Sequence, residues 1–129
     1  MRKILLIHPD FVLRKELAFA LQHSGFQVVG TAMDDQALAQ INRSHPDLIV
    51  MAEEQRRLKA DELCIRIREV CQAPIIILGQ DHEEAAGIEF LEMGADAYLT
   101  SPLNTRELLA RVRSLLRRAK ANTTQLERG

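Results

Sequence analysis

The sequence predicts an α/β domain built on a doubly wound, five-stranded parallel sheet, and three observations predict it. Short apolar runs alternate with longer segments of helical period from one end of the chain to the other. Three of those runs are apolar without interruption, as strands covered on both faces require. The length of 129 residues is that of one domain, and a hydrophobic content of 47% is ample for one core.

The elements follow in order. KILLI, residues 3 to 7, is the first continuous strand run, and Leu13, Leu17 and Leu21 mark the stripe of the first helix. FQVVGTA (26 to 32) is the second strand, followed by a helix carrying Leu38 and Ile41. DLIVMA (47 to 52) is the third strand, and Leu63, Ile67 and Val70 stripe the helix after it. PIIILG (74 to 79) is the fourth strand. DHEE (81 to 84) then sets an N-cap residue three before a glutamate, the arrangement that satisfies orphan amide donors, so a helix is expected to start at 81. Ile88 and Leu91 belong to that helix, and Gly94 caps its end. ADAYLT (95 to 100) is the fifth strand, and NTRE (104 to 107) repeats the capping pattern for a helix starting at 104. Leu108, Leu109, Val112, Leu115 and Leu116 cover one face of this last helix. The apolar period stops after Arg118. Residues 1–120 are therefore read as the domain and 121–129 as a tail or the start of an interdomain linker.

Seventeen Lys+Arg against eighteen Asp+Glu leave a formal charge of -1, so no global field draws the chain to nucleic acid or to a membrane surface. No nucleic-acid binding by this chain itself is expected. The N-terminal MRKILLIHPD has too few apolar residues for a signal peptide or a bilayer span, which points to the cytoplasm and to no membrane partner. Cys64 and Cys71 lie seven apart in one helical segment, roughly 10 Å along a rise of about 1.5 Å per residue and out of disulfide reach. Two reduced thiols are expected, one packed in the core and one at a helix surface.

Ligands and chemistry in an open parallel sheet gather outside the carboxyl ends of the strands. Those ends are His8, Pro9 and Asp10 after the first strand, Ala52 and Glu53 after the third, Gly79 and Gln80 after the fourth, and Ser101 and Pro102 after the fifth.

The chain to about Lys120 resembles the receiver domain of two-component response regulators, most closely the OmpR/PhoB-like branch that carries a winged-helix DNA-binding domain. KILLI, PDLIVM, DELCIRIRE, APIIIL, EMGADAYLTSPL and TRELLARVRSLLRR carry the resemblance. It implies the flavodoxin-like (βα)5 receiver fold and a regulatory, non-enzymatic role. It also implies where the family's phosphorylation residues fall. The Mg²⁺-holding acidic pair corresponds to His8 and Pro9, and the phosphate-accepting aspartate to Ala52. The phosphate-binding hydroxyl corresponds to Gly79 and the phosphate-pairing lysine to Ser101.

The expected chemistry is therefore that of a degenerate pseudo-receiver. An alanine methyl cannot attack phosphorus. Mg²⁺ needs several hard oxygen ligands, Pro9 offers none and His8 offers nitrogen, so neither metal nor cofactor is expected. Three carboxylates and one ammonium are replaced together, which leaves no single charge stranded. Asp10 is expected to cap the first helix, and strand alternation should turn Glu53 away from the face that Ala52 addresses. Glu53 or Glu54 folding back as a built-in phosphate mimic stays open at this point, as do a metal held by Asp10 and Glu53 and a phosphorylatable His8.

The resemblance also implies an output face made by the fourth helix, fifth strand and fifth helix. Tyr98 matches the family's switch aromatic, with a half-buried tyrosine whose hydroxyl is wet as the plain alternative. Asp96, Glu107, Arg111 and Arg113 match charged positions of a symmetric dimer, while Gly87 and Ala97 stand where the pattern has a basic and an acidic residue. The arginines at 106, 111, 113, 117 and 118 otherwise make a solvated face, the last two favourably placed at the helix's negative end. The expectation is a weak homodimer and, beyond this chain, a C-terminal DNA-binding domain, which makes the chain the regulatory module of a transcription regulator. The alternative is a stand-alone module docking onto a kinase or regulator.

Overall fold

Strands that are apolar without interruption must be covered on both faces, and the computed structural model, which describes residues 1–32, 35–53, 57–80 and 84–128, covers them so. β1 (Lys3–Ile7), β2 (Gln27–Thr31), β3 (Leu48–Ala52), β4 (Ile75–Gly79) and β5 (Ala97–Thr100) form one parallel sheet in the order β2-β1-β3-β4-β5. β3 and β4 are buried along their whole lengths. The order reverses between β1 and β3, where Ile7 lies opposite Met51. That reversal opens a crevice at the carboxyl ends of the strands.

Alternation along the strands sorts the core into two layers. Leu5, Ile7, Ile49, Met51, Ile75 and Ile77 face α2 (Asp35–Ser44), α3 (Arg57–Val70) and α4 (Glu84–Glu92). Ile4, Leu6, Leu48, Val50, Ile76 and Leu78 face α1 (Phe11–His23) and α5 (Thr105–Arg128). The doubly wound sheet is as the sequence predicts.

Local chemistry fixes the helix ends. The Asp10 carboxylate accepts the Val12 and Leu13 N–H groups at 2.9 and 3.0 Å, so Asp10 caps α1 as expected. Asn104 does the same for α5, accepting the Arg106 and Glu107 N–H groups at 2.9 and 3.2 Å. The start expected at 81 lies outside the described residues, within which α4 runs from Glu84. Gly94 closes α4 with φ +113°, a left-handed conformation that glycine adopts without strain, and the Ala95 N–H reaches back to the Phe90 carbonyl at 3.0 Å.

Three stripes differ from the reading by periodicity. Leu13 is 46% exposed, and in α3 the Val70 side chain is out of the core at 61%. In α4 the buried residues are Ala86 and Phe90, one helical turn apart, while Ile88 and Leu91 are half exposed. Phe90 fills the layer beneath β5, so the two aliphatic residues are turned outward. The last helix does not stop where its apolar period stops. It continues past Arg118 to Arg128, 24 residues in all, about 36 Å at 1.5 Å per residue.

Candidate functional site at the carboxyl ends of the strands

The parallel sheet brings His8, Ala52, Gly79 and Ser101 together, and all four line one cleft of about 380 Å³. Its floor is apolar. Ala52, Leu78 and Leu99 are buried, and Leu17 and the exposed Leu13 add apolar wall from α1.

The polar groups at the end of β1 already have partners within the chain. The His8 ring accepts the Asp10 N–H at Nδ1, 3.0 Å away, so a neutral imidazole carries its proton on Nε2. Burial holds that imidazole below its ordinary pKa, with Asp10 opposing and Arg14 adding to the effect. The Arg14 guanidinium donates to the His8 carbonyl at 2.7 Å and ties α1 to the end of β1. Asp10 is engaged in capping. Among the described residues no three His, Cys, Asp or Glu side chains group as metal ligands would.

Glu53 is the exception to the apolar pattern. It follows Ala52 directly, is 5% exposed and lines the same cleft, while alternation directs its side chain to the α2/α3/α4 side. There its carboxylate accepts the Tyr98 hydroxyl at 2.6 Å and the Gln80 N–H at 3.3 Å. The Tyr98 ring lies inward, stacked on Phe90 with centroids 5.8 Å apart and planes at 20°. Gly79 is what admits the ring. A Cβ there would stand 2.1 Å from Cζ and Oη of Tyr98, inside any allowed contact. Tyr98 is half-buried, as the plain alternative has it, but its hydroxyl is bonded to a buried carboxylate rather than wet.

On the outer side of Tyr98, α4, β5 and α5 frame a groove of about 420 Å³. Asp96, Glu107 and Arg111 line it together with Gly87, Ile88 and Leu91. Asp96 is partly committed inside the chain, accepting the Ile75 N–H at 2.8 Å and facing Arg68 at 3.7 Å. Arg113 does not join the groove. It is exposed two residues past Arg111, a rotation of about 200° around the helix. A side chain at Gly87 would be tight as well, its Cβ 3.1 Å from Cδ1 of Tyr98.

Residues 4–113 match the response regulator receiver domain. The chain belongs to that family. The receiver is 37% identical over 126 residues to the phosphate regulon transcriptional regulatory protein PhoB of Pseudomonas aeruginosa, covering 91% of this chain and 52% of that protein. It is 35% identical over 124 residues to the transcriptional regulatory protein AfsQ1 of Streptomyces coelicolor, covering 96% and 55%. Among solved structures, a two-component response regulator from Clostridium difficile superposes with a TM-score of 0.86 at 29% identity, over 92% of this chain and 98% of that one. The receiver spans about half the length of the curated relatives it matches.

Two remaining expectations concern this receiver's surroundings. Both cysteines are free, Cys64 buried and Cys71 half-buried, and burial pushes the Cys64 thiol up against the opposing pull of Arg68, away from the reactive thiolate. No described helix is long and apolar enough to cross a membrane. Glu54 lies outside the described residues. The Glu53 and Tyr98 contact is the feature that sequence reasoning missed. Its only signals were a glutamate directly after a buried strand and a glycine facing a lone tyrosine on the neighbouring strand.

Proposed function

We propose that this chain is a phosphorylation-independent receiver, the regulatory and associating module of a transcription regulator. The observation that carries the reading is the cleft itself, which gathers His8, Ala52, Gly79 and Ser101 around a floor of apolar side chains. A receiver's phosphoryl chemistry needs a carboxylate nucleophile, oxygen ligands for Mg²⁺, and donors for the phosphoryl oxygens. Ala52 has no nucleophilic atom. Mg²⁺ does not fit these residues: Pro9 has no side-chain oxygen, His8 Nδ1 already accepts a backbone N–H, and Asp10 is spent on its helix. Neither Gly79 nor Ser101 supplies a charged donor to a phosphoryl group.

The transcriptional role is supported by relatives named as transcriptional regulators that are about twice as long as this chain. A DNA-binding domain C-terminal to this one is part of the proposal. Association through α4, β5 and α5 is supported by the groove that joins Asp96, Glu107 and Arg111, because a twofold axis lets each sign of charge meet its opposite on a second copy. Asp96 is shared with Arg68, Arg113 is turned elsewhere, and Gly87 and Ala97 add no charge, so the dimer is weak.

Incubation with acetyl phosphate and Mg²⁺, followed by intact-mass spectrometry, tests the central claim. No acid-labile phosphoryl adduct is expected. A stoichiometric phosphoryl gain mapped to the peptide 46 to 55 would overturn it.

A further inference from the structure

Buried carboxylates are rare unless paired, and Glu53 is the only buried carboxylate among the described residues. Among the described residues no arginine or lysine is paired with it. Its partners are a phenol on β5 and a backbone N–H just past β4: the Tyr98 hydroxyl at 2.6 Å, a length typical of a hydroxyl donating to a carboxylate, and the Gln80 N–H at 3.3 Å.

We propose that Glu53 is a positioning residue which holds Tyr98 inward with no phosphoryl group present, and so keeps the α4/β5/α5 groove open for a second copy of this chain. Three further observations fit together around it. Gly79 removes the side chain that would collide with the phenol. Phe90 supplies a face for the ring to stack on. Tyr98 is itself a wall of the groove of about 420 Å³, so a ring swung outward has only that groove to enter, where it would fill the space between Gly87, Ile88 and Leu91. The outward state also leaves the Glu53 carboxylate buried with the Gln80 N–H as its remaining bond, which is costly for a desolvated charge. Ring position, groove shape and the carboxylate are therefore one coupled unit.

The proposal rests on the reading of α4, β5 and α5 as the association surface, and the test separates the two. Tyr98 is the single tyrosine and the chain has no tryptophan, so biosynthetic fluorotyrosine labels one site. In the parent protein one ¹⁹F resonance is expected, with an H₂O/D₂O isotope shift well below that of the urea-unfolded chain. Glu53→Ala should cut the inward preference about 10- to 100-fold, the value of one hydrogen bond to a charged group, and move the resonance toward the exposed position. Glu53→Gln keeps an acceptor oxygen and should restore most of the parent signal, whereas Glu53→Leu, of similar bulk but without an acceptor, should not, and a purely space-filling role would predict rescue by both. Sedimentation velocity on the same samples should show weaker self-association for Glu53→Ala than for parent or Glu53→Gln. An unchanged resonance in Glu53→Ala, or a parent isotope shift equal to that of the unfolded chain, overturns the hold on the ring. A displaced ring with unchanged association overturns the link to the groove. Failure of the surface reading has its own signature: Arg111→Glu leaves association unchanged while the ¹⁹F response to Glu53 persists. An exposed parent ring overturns the proposal even if Glu53→Ala does not fold.

Discussion

Gly79→Ser places a hydroxyl-bearing side chain at the end of β4, and in this chain it should do harm. The serine Cβ would lie 2.1 Å from Cζ and Oη of Tyr98 and 2.7 Å from Cε1, whereas ordinary contact begins near 3.4 Å. The ring has to retreat by more than about 1 Å, which stretches a 2.6 Å hydrogen bond to Glu53 beyond useful length. Losing a bond to a charged acceptor costs about 1.5 to 3 kcal/mol, and disturbing the stack on Phe90 adds about 0.5 to 1.5 kcal/mol. Against this, replacing glycine narrows the unfolded ensemble and returns about 0.5 to 1 kcal/mol. The balance is a loss of about 1 to 4 kcal/mol. For a domain of this size, with a urea slope of roughly 1 to 3 kcal/mol/M, the unfolding midpoint should fall by about 1 M at unchanged slope. The same substitution in a Tyr98→Ala background should cost little, because the obstructing ring is gone. A midpoint for Gly79→Ser within experimental error of the parent would refute the steric argument, as would an equal loss in the two backgrounds.

Three other outcomes follow from the site. Arg111→Glu should weaken self-association in sedimentation runs at several concentrations, and modestly, since exposed pairs contribute about 0.2 to 1 kcal/mol and are screened by salt; a strict monomer at high concentration in low salt would favour the stand-alone module. Millimolar Mg²⁺ should leave the melting temperature where matched ionic strength puts it, because a ligand stabilises only in proportion to its occupancy, and a saturable upward shift would revive a site at Asp10 and Glu53. Burial lowers the His8 pKa, so on acidification the unfolded chain takes up that proton before the folded one. Its contribution to stability is complete above the ordinary histidine value of about 6.5, falls as pH drops through that value toward the depressed one, and should vanish from the pH profile of urea midpoints in His8→Gln.

How much of this was legible in the sequence depended on the distance over which a signal acts. Continuous burial of LIVMA and IIILG is a property of neighbours in the chain, so the strands and their parallel pairing could be read directly. Asp10 and Asn104 as caps are equally local. That residues 8, 52, 79 and 101 would meet was legible because each lies at or just past a strand end. The partner of Glu53 was not, since it lies 45 residues away on a strand two removed from its own. Periodicity also misjudged α4. A short helix with apolar residues on two sides can turn either toward the sheet, and volume decides: Phe90 fits the layer against Tyr98, so Ile88 and Leu91 are left outside. The reach of α5 past its apolar stripe had no burial signal to announce it.

The sheet that separates the two core layers also separates two histories. Ala52 closes the cleft on the α1/α5 side, while its neighbour Glu53 is tied to Tyr98 on the other, so a single step along the chain passes from one layer to the other. Substitutions at 8, 52 and 101, which do not touch this contact, should be tolerated so long as they fit the cleft. Those at 53, 79 and 98 are not, because each is sized to the other two. Among descendants of this sequence positions 8, 52 and 101 should drift more freely, while the carboxylate, the glycine and the phenol change only in concert.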